Sequence, residues 1–234
     1  MMDVGRHPRI ELMAYSEVEE VDGYVGNFKV KVRKKARYVR EEDCNSCAEC
    51  GEVCPVVVPD EFQMGLSSRK AVYLPFPQAV PASYIIDMEA CLGTNPIACG
   101  KCEEVCEKVC IDYDMKDEIF ELEVGVVVVA TGMDVYDPTE LDEYCYTRYD
   151  NVITSMEFER LICASGATEG HFVRPSDHEV PGRIGFIQCV GSRNNAGDKG
   201  NPYCSNICCM NTVKDTLLLR DHYPDCECTV FYMD

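Results

Sequence analysis

The sequence predicts an α/β protein whose sheet is interrupted by a small, cysteine-rich α+β insertion. Three observations lead there. Eight cysteines within residues 44–106 fall into two runs with metal-ligand spacing. A stretch of alternating apolar and charged side chains, residues 28–33, precedes them, and an almost unbroken β-branched run, ELEVGVVVVATG at 121–132, follows them. Beyond these, a strand–helix–strand pattern runs from about residue 185 to 233, as in a parallel α/β unit.

Taken in order, residues 10–18 read as a strand, Asp22-Gly23 as a turn, and residues 24–33 as a second strand. Phe28, Val30 and Val32 face one way and Lys29, Lys31 and Arg33 the other, the pattern of a half-buried antiparallel hairpin. Residues 34–40 are basic and extended and leave the sheet. Inside the insertion, Pro75, Pro77 and Pro81 exclude a helix interior or a central strand and predict an ordered loop. The valine run at 121–132 predicts a fully buried strand in the same sheet as the hairpin. Thr154-Ser-Met-Glu157 is a capping box and starts a helix expected to bury Phe158, Leu161 and Ile162 and to stop near Gly166. A buried strand at 185–190 and a helix at about 206–222 follow, the helix carrying Ile207, Met210, Val213, Leu217 and Leu218. Pro224 ends that helix, and residues 228–233 form the last strand. The segments expected are 1–40, 41–115, 116–182 and 183–234, in a chain read as part of a longer protein cut at both ends.

Cys44-Asn-Ser-Cys47-Ala-Glu-Cys50-Gly-Glu-Val-Cys54-Pro55 has the C-x2-C-x2-C-x3-C-P spacing of bacterial ferredoxins, which hold four-iron four-sulfur clusters. Cys91, Cys99, Cys102 and Cys106 repeat it as C-x7-C-x2-C-x3-C, with Glu107 where proline is expected. In two-cluster ferredoxins the fourth cysteine of each run serves the other cluster. That rule assigns Cys44, Cys47, Cys50 and Cys106 to one cluster, and Cys91, Cys99, Cys102 and Cys54 to the other. Thiolates suit iron as soft anionic donors. Two structural four-cysteine zinc sites are the alternative. Cys110 reads as a buried small hydrophobe or as a substitute for Cys106.

The chain has 17 cysteines and a net charge of −19. Residues 41–115 hold fourteen acidic against four basic side chains, and residues 1–40 hold nine basic against six acidic. So acidic a chain has no electrostatic footprint for nucleic acid. No apolar run approaches the roughly 20 residues of a membrane helix, and no apolar signal segment precedes residue 10. So many unprotected thiols fit a reducing cytoplasm.

A further constellation, Pro202-Tyr-Cys204-Ser-Asn-Ile-Cys208-Cys209, opens the late helix, where the helix dipole favours a thiolate. Packing of Cys208 and Cys209 in the helix core is the competing reading. Cys145, Cys163, Cys189, Cys226 and Cys228 have no ligand spacing and are assigned to the core, and His7, His171, His178 and His222 form no ligand or triad pattern.

Together these motifs resemble the A-type component of heterodisulfide reductase, an iron–sulfur flavoprotein family of methanogens and related anaerobes. The likeness rests on YSEVEEVDGYVGNFKVKVRKKARYV, PFPQAVP, VVVVATG, NVITSMEFERL, GFIQCVGSR and NPYCSNICCM and covers nearly the whole chain, though the family protein is much longer. The resemblance implies an oxidoreductase subunit built on a thioredoxin-reductase-like fold with two dinucleotide-binding domains. Its FAD domain would supply residues 1–40 and 116–182, with the two-cluster ferredoxin domain inserted at 41–115, and a second dinucleotide-binding-like domain would begin at 183–234. It implies two 4Fe-4S clusters, FAD near Ala130, Thr131 and Gly132, and a redox or cluster contact at Cys204, Cys208 and Cys209. The implied role is flavin-based electron bifurcation towards the disulfide CoM-S-S-CoB. The implied partners are the other heterodisulfide reductase subunits and an electron-donating hydrogenase or dehydrogenase. Rival functions are a stand-alone ferredoxin-type carrier and a zinc-stabilised interaction protein. No G-x-G-x-x-G occurs, so the main FAD phosphate site is expected outside these residues, and Asp234 is an isolated match to a ribose-binding acid.

Overall fold

A computed structural model describes residues 2–93, 99–195 and 199–233; Asp234 lies outside them, as do most of the C-x7-C gap and residues 196–198. The chain divides into two units, 1–131 and 132–234. The expected segments 116–182 and 183–234 therefore share the second unit from residue 132 onward.

In the first unit a short helix α1 (Met2–Arg6) precedes a three-stranded antiparallel sheet in the order β1-β2-β7, made of β1 (Ser16–Tyr24), β2 (Asn27–Lys34) and β7 (Glu118–Val124). The expected strand at 10–18 starts only at Ser16, because Tyr15 takes a left-handed φ of 57° that breaks extended backbone. Asp22 and Gly23 lie inside β1, and the turn falls at Val25-Gly26, where Tyr24 pairs with Asn27 and Gly26 supplies φ 91°. Phe28, Val30 and Val32 lie opposite Val124, Leu122 and Phe120, so the alternation of both strands fixes one apolar face. Val30 and Val32 are buried, while Lys31 and Arg33 on the other face pair with Glu19 at 3.0 and 3.1 Å.

The valine run departs from expectation. The strand is Glu118–Val124, and Val126, Val128 and Val129 are 71, 83 and 79 % exposed outside any strand. β-Branched residues favour a strand only where a neighbour supplies ladder hydrogen bonds and packing, and among the described residues no strand lies beside 126–129.

Between β2 and β7 the chain leaves the sheet as expected but turns inward. Ala36, Arg37 and Val39 are buried, and the Arg37 guanidinium donates to the Ser83 carbonyl at 3.3 Å. The insertion holds α2 (Glu49–Val53), α3 (Lys101–Val105) and two small hairpins, β3 (Val57–Pro59) with β4 (Ser68–Lys70) and β5 (Val72–Tyr73) with β6 (Ile85–Ile86). Tyr73 closes β5 just before the proline loop, and Arg69 stacks 4.0 Å over its ring while pairing with Glu61 and Asp87. The core beneath is Val39, Val72, Ile86, Cys102, Cys110 and Ile111.

The second unit carries α4 (Ser155–Ile162), a parallel pair β8 (Arg183–Ile187) and β9 (Glu227–Phe231), and α5 (Cys208–His222) between them in sequence. The Thr154 hydroxyl accepts from Glu157 N–H at 3.2 Å, and Thr154 N–H donates to the Glu157 carboxylate, closing the expected capping box. α4 stops at Ile162 because the chain folds straight back: Gly166 N–H reaches the Cys163 carbonyl at 2.7 Å, and a Cβ on Gly166 would strike the Arg160 carbonyl. Phe158 and Leu161 are buried, with Phe158 edge-on to Phe172 and Phe186 at 5.0 and 5.6 Å.

Two expectations are corrected here. The strand at 185–190 is neither fully buried nor so placed; β8 spans Arg183–Ile187 with only alternate residues half covered, and β9 is exposed throughout. A two-stranded pair shields too little area for more. α5 buries Thr212, Asp215 and Leu219, while Ile207, Met210, Val213, Leu217 and Leu218 stand exposed. Helical periodicity shows that an apolar face exists, not what covers it. Beside the buried Leu219, two polar contacts tie α5 to its neighbours, Gln188 Nε2 to Thr212 Oγ1 and Lys214 to Glu159, while Asn211 Nδ2 to Asp215 Oδ2 at 3.0 Å lies within the helix.

Burial first, and Glu159 beside it, push the Asp215 carboxyl from 3.8 up to about 7. Between those values the folded chain holds a proton that the unfolded chain has released, so this contribution is complete below about pH 4 and is lost as pH rises through 7. Urea midpoints are expected to fall from pH 5 to pH 7.5 in the native sequence and to flatten over that window in Asp215→Asn. Thr154→Ala, which removes the cap, is expected to lower stability by about 1 kcal/mol in the same assay.

Candidate metal centre

The two short helices of the insertion are copies of one local structure. Each is five residues long and is preceded by a residue in left-handed conformation, Ala48 (φ 72°) before α2 and Gly100 (φ 59°) before α3. The Ala48 carbonyl accepts from Gly51 and Glu52, and the Gly100 carbonyl accepts from Glu103 and Glu104. Each helix ends on the fourth cysteine of its run in extended backbone, Cys54 (ψ 121°) and Cys106 (ψ 93°). Pro55 imposes that course on Cys54. Glu107 imposes nothing of the kind, and there a turn from Val109 N–H to the Cys106 carbonyl at 2.8 Å accompanies the same course.

The helix endings decide where the sulfurs go. Cys44, Cys47, Cys50 and Cys106 line one cavity, with Val39, Tyr84, Cys110 and Ile111. Cys54, Cys91, Cys99 and Cys102 line a second, with Val72, Ile86, Leu92 and Tyr113. Each cavity thus takes three cysteines from one run and one from the other. Cys110 is buried, as a small hydrophobe would be, but it also borders the first cavity with its sulfur 3.3 Å from Cys106 Sγ. Among the described residues no three His, Cys, Asp or Glu side chains converge as they would around a single ion; a four-iron cluster calls for wider spacing of its four thiolates.

Burial raises a thiol in each cavity. Burial first, then Cys102 and Cys44 nearby, push the Cys50 thiol up to about 12. Burial likewise raises Cys102, and burial with Cys106 beside it pushes Cys110 up to about 12. Cys106 runs the other way: burial pulls it up, but backbone N–H groups of Cys110, Lys108 and Val109 and the Cys110 thiol hold it below the usual range. Thiols crowded into apolar cavities ionise readily only against positive charge. These donor sets therefore fit iron–sulfur clusters in chemistry and in number.

The remaining expected residues lie elsewhere. Ala130, Thr131 and Gly132 are exposed and lie outside any helix or strand, with Gly132 at φ 78°. Cys204, Cys208 and Cys209 gather at the start of α5, Cys204 and Cys209 exposed and Cys208 half-buried. Core packing does not describe them. Burial draws the Cys208 thiol up, but the Cys189 N–H, the Ser205 and Cys209 side chains and the Cys209 N–H hold it below the usual range, while Cys208, burial, Cys189 and Cys204 all raise Cys209. Cys189 thus belongs to this group, which its sequence spacing did not reveal. Its position was the available signal: it follows a parallel strand and faces a helix start, where α/β units bind ligands. Cys145, Cys163 and Cys226 are half-buried and Cys228 is exposed, so the core assignment fails for these as well.

No family model matches the chain. Over all 234 residues it is 53 % identical to the A-type component of H2:CoB-CoM heterodisulfide,ferredoxin reductase from Methanothermobacter marburgensis. It is 56 % identical to the second A-type iron-sulfur component of CoB–CoM heterodisulfide reductase from Methanopyrus kandleri, and 49 % identical to the A-type iron-sulfur component from Methanocaldococcus jannaschii. The chain spans 34 to 35 % of the length of these relatives, which are named as subunits of an oxidoreductase. Among the described residues no helix is long and apolar enough to cross a membrane.

If the left-handed residue before each helix sets the cysteine geometry, Ala48→Gly should raise the thermal midpoint by relieving about 1 kcal/mol of strain, and Gly100→Ala should lower it by a similar amount. From its first residue to its last, the chain belongs to the family of A-type heterodisulfide reductase subunits, the iron–sulfur components of that oxidoreductase, and matches about a third of its members' length.

Proposed function

We propose that this chain is an electron-relaying part of a flavoprotein of the A-type heterodisulfide reductase family, holding two 4Fe-4S clusters between FAD and the partner subunits. The observation that carries this reading is the partition of eight cysteines into two cavities, each completed by the fourth cysteine of the other run. Such clusters supply one-electron carriers. The chain's own part is to hold and space them. Cys44, Cys47, Cys50 and Cys106 ligate one, and Cys54, Cys91, Cys99 and Cys102 the other. Because α2 and α3 each contribute to both cavities, the two sites are fixed to one another by less than two turns of helix. Val39 and Ile111 give the first cavity an apolar wall, and Val72 and Ile86 the second.

Flavin belongs to the reading through the family likeness and through Ala130, Thr131 and Gly132, the stretch that would pass near it. The phosphate-binding glycines would come from sequence outside these residues. Flavin-based bifurcation, the heterodisulfide CoM-S-S-CoB as final acceptor, partner subunits with a hydrogenase or dehydrogenase as donor, and a cytoplasmic site of action complete it. The names of the relatives, which mention H2, ferredoxin and the CoB–CoM heterodisulfide, support the substrate class. Cys189, Cys204, Cys208 and Cys209 form a separate thiol group that serves as a redox or cluster contact, supported by their mutual influence at the start of α5.

Anaerobic reconstitution is expected to load about eight irons with matching sulfide; two zincs without sulfide would refute the cluster assignment. Cys54→Ala and Cys91→Ala should each remove about four irons, and the double variant no more than either alone, because both serve one cluster. Cys106→Ala combined with Cys91→Ala should remove nearly all. The opposite pattern would mean that each run ligates its own cluster.

A further inference from the structure

We propose that the Tyr113 hydroxyl is a positioned hydrogen-bond donor that raises the reduction potential of the cluster held by Cys54, Cys91, Cys99 and Cys102. The inference rests on the cluster assignment above and adds a residue that is not a ligand. Tyr113 lines that cavity, and its hydroxyl oxygen stands 3.0 Å from Cys102 Sγ. In a free thiol either atom can donate. A cluster-bound cysteine has lost its proton, so the phenol is then the donor and the sulfur the acceptor.

One-electron reduction adds a negative charge that spreads onto the ligand sulfurs. An O–H dipole aimed at one of them stabilises the reduced form more than the oxidised form, and hydrogen bonds to sulfur are a recognised control of cluster potential. The electron is the only species transferred in this step, arriving from the neighbouring cluster or a chemical reductant, and the proton stays on the tyrosine oxygen.

The position of the ring is well determined. Two residues earlier Ile111 bridges to Val39, and Asp112 N–H binds the Tyr38 carbonyl at 3.0 Å, so the backbone leading to Tyr113 is tied down. The ring packs against the core of Val39, Val72 and Ile86. At the first cavity the corresponding neighbour of a ligand sulfur is the Cys110 thiol, 3.3 Å from Cys106, and a thiol is the weaker donor.

The full chain, reconstituted anaerobically with iron and sulfide, is titrated with reductant while both clusters are followed by electron paramagnetic resonance. Tyr113→Phe is expected to keep about eight irons and to lower one midpoint by up to about 59 mV, a tenfold change in a one-electron equilibrium, leaving the other in place. Replacing Tyr113 alone by 3-fluorotyrosine, a stronger donor of almost the same shape, should raise that same midpoint. An exchangeable proton coupled to the cluster, seen on transfer to deuterated water, should vanish in the phenylalanine variant. Unmoved midpoints at full iron content in both variants overturn the tuning role and leave the cluster assignment standing. If the phenylalanine variant loses iron, the fluorotyrosine chain decides by its midpoint. An unaltered chain that takes up zinc and no sulfide overturns both readings.

Discussion

The first unit depends on the pairing of β2 with β7. Seven residue pairs join Phe28–Lys34 to Glu118–Val124 in antiparallel register, and the junction continues past the strand ends. Asp117 accepts from Ala36 N–H at 2.9 Å, Asp112 N–H reaches Tyr38, Arg40 N–H reaches Cys110, and Val39 bridges Ile111. The two ends of the cysteine-rich segment are thereby zipped together residue by residue. Cys44 and Cys110 lie just inside the zip, so the loop closure that would otherwise oppose assembling thiols from two distant runs is met by backbone hydrogen bonds.

Within that frame the two cavities are made by helix endings more than by helix faces. A five-residue helix offers one cysteine in its body and one at its C-cap, and the change from helical to extended backbone points them apart. The first copy uses proline to force the change and alanine where glycine would fit better; the second uses glycine and dispenses with proline. Each copy satisfies a different half of the local chemistry, which explains how spacings that match imperfectly lead to the same backbone.

What could be read beforehand follows from this. Cysteine spacing, the alternation of 28–33 and the capping box at Thr154–Glu157 are local signals, and they fix local structure strongly. The strand start at Ser16 is set by a single left-handed residue, Tyr15, that no pattern announces, and the turn falls at Gly26, the second of two glycines that could supply it. The valines at 126–129 and the apolar side of α5 were misjudged for another reason. Their apolar character is real, but burial depends on a neighbour, and among the described residues none lies against them. The gathering of Cys189 with Cys204, Cys208 and Cys209 joins residues across a long loop, where sequence distance carries no information about contact. At the first cavity Cys110 shows the limits of spacing too: it is both buried in the core and beside the Cys106 sulfur.

The zip between β2 and β7 has an evolutionary consequence. Because the cysteine-rich segment departs and returns on adjacent strands, its two ends stand about one strand spacing apart, roughly 5 Å. A host sheet could have joined the same strands with an ordinary tight loop. A segment joined in this way can therefore be gained, lost or exchanged at a hairpin, with neither strand order nor register of the sheet altered. A chimera that replaces the segment with a short turn would preserve the three-stranded sheet and remove only the two cysteine-lined cavities.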